Sequence, residues 1–85
     1  MQLETGVLMK THYTYIHFND YSGTKQKTGR WMCINNQHGS WIGEVKWYPG
    51  WRQYCFHPAS DTVFSQGCLQ DICDFITQLM AARKH

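Results

Sequence analysis

Trp41-Ile42-Gly43-Glu44-Val45-Lys46-Trp47-Tyr48-Pro49-Gly50-Trp51-Arg52-Gln53-Tyr54-Cys55-Phe56-His57-Pro58 is the stretch that decides the fold. Its first half alternates. Trp41, Gly43, Val45 and Trp47 fall on one side of an extended chain, and Ile42, Glu44, Lys46 and Tyr48 on the other, the period of a half-buried strand. The first set reads as core. Tyr48-Pro49-Gly50-Trp51 reads as a turn, in which Pro fixes φ and Gly supplies the positive φ that type II geometry requires. Type II turns splay strands more than primed hairpin turns do, which leaves room for a connection wider than two residues. A returning strand runs from Trp51 to His57 and is stopped by Pro58.

Working outward, the β-rich string Thr11 to Asn19 reads as a strand, and Asp20 to Gly29 as a polar loop with Ser22-Gly23 as its turn signal. Arg30 to Asn35 forms another strand, which leads into a connection rich in turn formers, Asn36 to Ser40. Beyond Asp61-Thr62-Val63-Phe64 the period changes. Ser65 is an N-cap candidate, and Leu69, Ile72, Cys73, Ile76, Leu79 and Met80 recur at three- and four-residue spacing. This predicts an amphipathic helix of about five turns. Gln70, Asp71, Asp74 and Gln78 form its polar side, and Arg83 and Lys84 stand favourably at the C-terminal end of its dipole. The predicted fold is α+β: an antiparallel four-stranded meander with one C-terminal helix packed on one face, in the order ββββα. Residues 1–10 read as a loosely ordered N-terminal arm, and residues 11–85 as a single domain.

A chain of 85 residues makes one domain and buries only about 60 to 65% of its unfolded surface. Its thirteen aromatics must therefore supply a compact core. The formal charge of +2 and the pI near 8.4 lean weakly toward anionic partners. They fall well short of a dedicated DNA binder, and six scattered acidic residues do not make an acidic DNA mimic. There is no apolar stretch of signal-peptide or membrane-spanning length, so a soluble, cytoplasmic protein without a membrane partner is expected. In that compartment Cys33, Cys55, Cys68 and Cys73 are expected as free, mostly buried thiols. No C-x-x-C occurs, and Cys68 and Cys73 would face about 140° apart on a helix. No metal or cofactor is expected.

One helix covers one face of a sheet, so the other face is where binding residues would lie. Lys46 and Tyr48, with Arg52 and Tyr54 from the returning strand, are expected there. Rings stack on bases and cations hold phosphates, so such a face suits single-stranded nucleic acid. Tyr and Arg are equally ordinary on solvated sheets and at protein interfaces. Catalytic candidates are weaker. Cys55 and His57 share a side of one strand and could pair as nucleophile and base, but no third group is indicated to orient them. A zinc site drawing in Cys33 or Cys68 would need unusual spacing. Asp71 and Asp74 read as the solvated side of the helix, and Ser22-Gly23-Thr24-Lys25 lacks the spacing of a phosphate loop. No enzyme class has its minimum set of parts.

The strings Gly43-Glu44-Val45-Lys46-Trp47-Tyr48, Trp51-Arg52-Gln53-Tyr54-Cys55-Phe56, Thr62-Val63-Phe64, Cys68-Leu69 and Asp71-Ile72 to Phe75-Ile76 carry a family resemblance. Over Trp31 to Leu79 the chain resembles small, mostly uncharacterised proteins of phages and prophages. Their pattern is a G-x-I/V-K-W-Y-x-x-W-R-x-Y-C-F core followed by a C-L-x-x-I-x-x-F helix. The resemblance implies a phage origin and a non-enzymatic accessory role, and brings no catalytic residues. Such genes often encode proteins that bind and disable a host factor, including CRISPR or restriction nucleases. The leading expectation is therefore a host-protein partner, with Lys46, Tyr48, Trp51, Arg52 and Tyr54 as partner-binding residues. Tyr, Trp and Arg dominate interface hot spots at about 2 kcal/mol or more each. A single-stranded nucleic-acid module using the same face is the alternative. Either could act as a monomer or as a homodimer paired through edge strands.

Overall fold

The computed structural model describes residues 9–23 and 28–83. Residues 1–8 of the predicted arm, part of the Asp20 to Gly29 loop, and Lys84 and His85 lie outside the described residues. Four strands, β1 (Ile16–Asp20), β2 (Arg30–Asn35), β3 (Trp41–Tyr48) and β4 (Gln53–Pro58), precede one helix, α1 (Gln66–Arg83). They form a single antiparallel sheet in the order β1-β2-β3-β4. This is the ββββα meander that the alternation and the change of period predict.

Counted inside their closing pairs, Asn35 with Ser40 and Tyr48 with Gln53, both remaining hairpins turn in four residues. Asn35 N–H donates to Ser40 O (2.9 Å), and the loop between them ends with Gly39 at φ 69. Asn35 Oδ1 organises that loop by accepting from the backbone N–H groups of Gln37 (2.8 Å) and His38 (3.0 Å), the Asx device that makes Asn a turn former. In the β3–β4 loop Tyr48 pairs with Gln53. Trp51 N–H donates to Tyr48 O and Arg52 N–H to Pro49 O, each at 3.2 Å. The positive φ falls on Arg52 (54°) and not on Gly50, so the expected type II turn is replaced by two overlapping turns closed by a left-handed residue.

The sheet's inner face and α1 make the core: Ile16, Phe18, Cys33, Val45, Tyr54, Ile72, Phe75 and Leu79. The Phe18 and Phe75 rings stack at 4.1 Å, and Trp31 meets both Phe75 and Tyr54 edge-on. Truncating Phe75, fully buried at their centre, would cost about 3–5 kcal/mol. Ser65 caps the helix as predicted, accepting from Cys68 N–H at 3.1 Å. The buried helical stripe is Ile72, Phe75 and Leu79, flanked by Cys68, Ile76 and Met80, while Leu69 and Cys73 turn outward. The predicted stripe included Leu69 and Cys73 and omitted Phe75.

Two strand expectations are corrected. Trp41 is 47% exposed. The β2–β3 register slips between Cys33 and Ile34, so Gly43 pairs with Cys33 but Trp41 pairs with Ile34. Ile42 is the extra residue of this bulge, and it packs on the core where Trp41 was expected. Gly43 sits where Phe56 crosses the sheet: a Cβ there would lie 2.8 Å from Phe56 Cε1 and 2.9 Å from the His57 carbonyl. The predicted first strand is also shorter. Thr11 to Tyr13 doubles back beside β1, with Phe18 N–H donating to Thr11 O (2.9 Å) and Tyr13 N–H to Ile16 O (2.8 Å). This segment is held to α1, since Gln78 exchanges two hydrogen bonds with the Lys10 backbone and Asp74 accepts from the Tyr13 hydroxyl (2.7 Å).

Candidate functional site

The helix closes the inner face and leaves the outer face of the sheet uncovered by any described element. Cross-strand pairing puts Arg30 opposite Lys46 and Lys46 opposite Cys55, with Met32, Glu44 and His57 in the next row. Arg30 and Lys46 are like charges directly opposed, an arrangement that costs stability unless something neutralises it. Glu44 does so for Arg30. Arg30 donates to Glu44 Oε2 at 3.0 Å, the Tyr21 hydroxyl donates to the same oxygen at 2.6 Å, and the guanidinium lies over the Tyr21 ring. The Tyr21 hydrogen bond, aided by Arg30, holds the Glu44 carboxyl below its usual range. Lys46 makes no ion pair among the described residues.

His57 stands in the row beside Lys46. Burial, reinforced by the Lys46 charge, pushes its imidazole below the ordinary histidine value, and its Nε2 has no partner among the described residues. Thr28, Arg30, Lys46, Tyr48, Pro49 and His57 line an open groove along this part of the sheet.

The groove ends at the β3–β4 hairpin tip. Trp51 is 69% exposed and Tyr48 41%. Their rings meet edge to face at 5.2 Å, and the Tyr48 ring also lies against Gly50, where a Cβ would approach its Cε2 to 2.9 Å. Arg52 follows, exposed and in the left-handed region. Lys46, Tyr48 and Trp51 are thus gathered at one end of the outer face, with Arg52 next to Trp51 in the turn.

Tyr54 is not among them. It is 6% exposed, packs edge-on against Trp31 and Trp47, and accepts a hydrogen bond from Gly29 N–H at 3.0 Å. The loop length decides this. A three-residue connection would put Tyr54 opposite Lys46 on the outer face, whereas four residues put it opposite Trp47 on the inner one.

The other chemical candidates stay separate. Cys55 and His57 do share the outer side, but no hydrogen bond joins thiol to imidazole; Cys55 Sγ donates weakly to Gln53 O at 3.8 Å. The four cysteines are free thiols, with only Cys33 fully buried. Burial, with Cys68 nearby, pushes the Cys33 thiol up to about 12, which makes it inert at neutral pH. Among the described residues no three His, Cys, Asp or Glu side chains cluster as metal ligands. The sequence reading missed the Tyr21–Glu44–Arg30 cluster, which no local spacing signals. Nor does spacing signal the pair His12 and His17, whose rings stack at 5.0 Å where the N-terminal segment doubles back.

Fold and surface together define a small α+β domain with one sheet face sealed by a helix and the other presenting an aromatic, cationic hairpin. No described helix is long and apolar enough to cross a membrane. The chain is 33% identical over 70 residues to an uncharacterized 9.3 kDa protein of Acholeplasma phage L2, a match covering 82% of this chain and 90% of that protein. It belongs to the same family of small phage proteins. No family model matches the chain, and no solved structure matches it.

Proposed function

We propose that this is a non-enzymatic phage accessory protein that acts in the host cytoplasm by binding and inhibiting a host protein, with defence nucleases of the CRISPR or restriction type as the target class. Lys46, Tyr48, Trp51 and Arg52 are the contact residues. One observation carries the reading: the most exposed large ring of the described sheet and its hairpins, Trp51, is presented on a turn whose closing residue is a left-handed arginine. Trp, Tyr and Arg on a rigid projection are the residue types that anchor interfaces. The test is to express the chain in cells carrying a restriction or CRISPR system and measure phage plating. Wild type should relieve restriction, and Trp51→Ala and Arg52→Ala should lose that effect while melting as folded proteins. Full relief by both variants would remove the hairpin from the site.

The unneutralised Lys46 beside Tyr48 and His57 favours a second reading, binding of single-stranded nucleic acid along the groove. Quenching of Trp fluorescence by labelled DNA and RNA oligonucleotides, weakening as salt rises, would support it. A flat titration at low salt would eliminate it.

A further inference from the structure

The two edges of the sheet are treated differently. On β1, the groups that point away from β2 belong to alternate residues, and Thr11 to Tyr13 takes two of them, Phe18 N–H and Ile16 C=O. On β4, Ala59 N–H donates to Ile42 O at 3.0 Å, which fixes the alternation along the β3–β4 ladder. Gln53, Cys55 and His57 therefore bond toward β3, and Tyr54 and Phe56 present N–H and C=O outward. Among the described residues the outward Tyr54 N–H meets only the thioether of Met80, at 3.4 Å. A sulfur is a weak acceptor on a flexible side chain.

Exposed edges are normally guarded by charge, by proline or by a covering segment. From Gln53 to His57 β4 carries no charged residue, and its proline stands only at the end, Pro58. Beside this edge α1 presents an apolar strip of Ile76, Met80 and Ala81 with Thr77, whose hydroxyl is already bonded to Cys73 O.

We propose that β4 pairs antiparallel with β4 of a second copy of this chain, joining two four-stranded sheets into one of eight strands with Cys55 on the two-fold axis. The match is self-complementary. Tyr54 of each copy exchanges N–H and C=O with Phe56 of the other, so the outward groups of both residues are satisfied once Met80 turns aside. Cys55 then faces its counterpart in a non-hydrogen-bonded pair, where Cα atoms stand ~4.5 Å apart, within the span a disulfide bridges. The strand is uncharged over its length, so no like charges meet across the axis, and the two apolar helical strips flank the same axis on the inner side. The two outer faces become continuous, placing a Lys46 on each side of the axis. This arrangement does not depend on the identity of any host factor.

The test is sedimentation of the full chain across a concentration series, with three variants. Wild type should sediment as a dimer at the upper concentrations. Cys55→Glu places a carboxylate beside Lys46 within each chain but opposes two carboxylates across the axis. It should weaken association by about tenfold or more, with a melting temperature equal to that of wild type at dilutions where both chains are monomeric. In the Cys68→Ser/Cys73→Ser chain, oxidised glutathione should accept two electrons and two protons from the paired Cys55 thiols, giving a covalent dimer whose linked peptides both contain Cys55. Cys55→Ser should remain a dimer and lose that link in the same background. A wild-type monomer throughout, or a dimer that survives Cys55→Glu and does not link through Cys55, overturns the proposal.

Discussion

Arg52→Gly is the sharpest test of why the hairpin tip has its present sequence. Arg52 closes the β3–β4 loop at φ 54, the position that Gly39 fills in the β2–β3 loop. A non-glycine residue in the left-handed region costs about 1–2 kcal/mol. Its side chain makes no hydrogen bond or ion pair among the described residues, so truncation removes no stabilising contact. Glycine relieves the strain but adds about 0.5–1 kcal/mol of unfolded-state entropy. The net expectation is a gain of about 0.5–1 kcal/mol, a rise in melting temperature of roughly 2–8 °C for a domain of this size. Thermal and urea unfolding of the purified variant measure it. A loss of stability would show that the arginine serves the fold and would sink the strain argument. A gain in stability with undiminished relief of restriction would remove Arg52 from the contact site.

Trp51→Ala should leave stability within about 0.5 kcal/mol in urea titrations, since the ring is mostly in solvent. Gly43→Ala should destabilise by about 1–3 kcal/mol in the same assay, because the new methyl meets the Phe56 ring and the His57 carbonyl. Tyr54→Phe should cost about 1–2 kcal/mol by leaving Gly29 N–H unpaired, without altering partner binding. Acid should weaken the fold in two stages. His57 has a folded value below the ordinary 6.5, so the unfolded chain takes up the proton first and stability falls as pH drops below that value. Glu44 is likewise held below 4.5, and its contribution is present above that value and lost as pH falls through its folded pKa. Melting temperature against pH should show both stages in wild type and only the lower one in His57→Gln.

The fold was legible because β3 and α1 carry unambiguous periods, and Ser65 announces where one gives way to the other. What was lost turns on single-residue slips that a period cannot register. Gly43 within a strand is a known sign of a bulge or a close approach, and here it is both: Ile42 is inserted beside it and Trp41 passes to the other face. Tyr54 changed faces because side chains invert with each residue added to a turn, and Pro49-Gly50 gives no count of the loop. Phe75 was hidden differently. It lies three residues after Ile72 and four before Leu79, so the spacing was present, but Cys73 and Ile76 offered a neighbouring stripe of similar strength. Lys46 and Tyr48 do share the outer face, because they stand two residues apart on β3, and the Trp51 ring meets Tyr48 across the turn.

The same hairpin explains how an exposed site can be rigid. Trp47, one residue before Tyr48, faces inward, where Tyr54 meets it edge-on at 5.4 Å and the Arg83 guanidinium stacks over it at 4.0 Å. The last turn of α1 therefore clamps β3 immediately beneath the exposed rings. Tyr48 is held against Gly50 and Trp51, so ordering the tip is part of folding and is not deferred to binding. Each rotamer-rich side chain immobilised on association costs about 0.5–1.5 kcal/mol, a loss that a preformed tip largely avoids. Arg83→Ala, remote from the outer face, should accordingly weaken partner binding by loosening Trp47 while leaving the exposed residues unchanged, with thermal melting separating that effect from global unfolding. Undiminished binding by this variant would mean that the tip is rigid through Tyr48 and its own turn, independently of the helix beneath it.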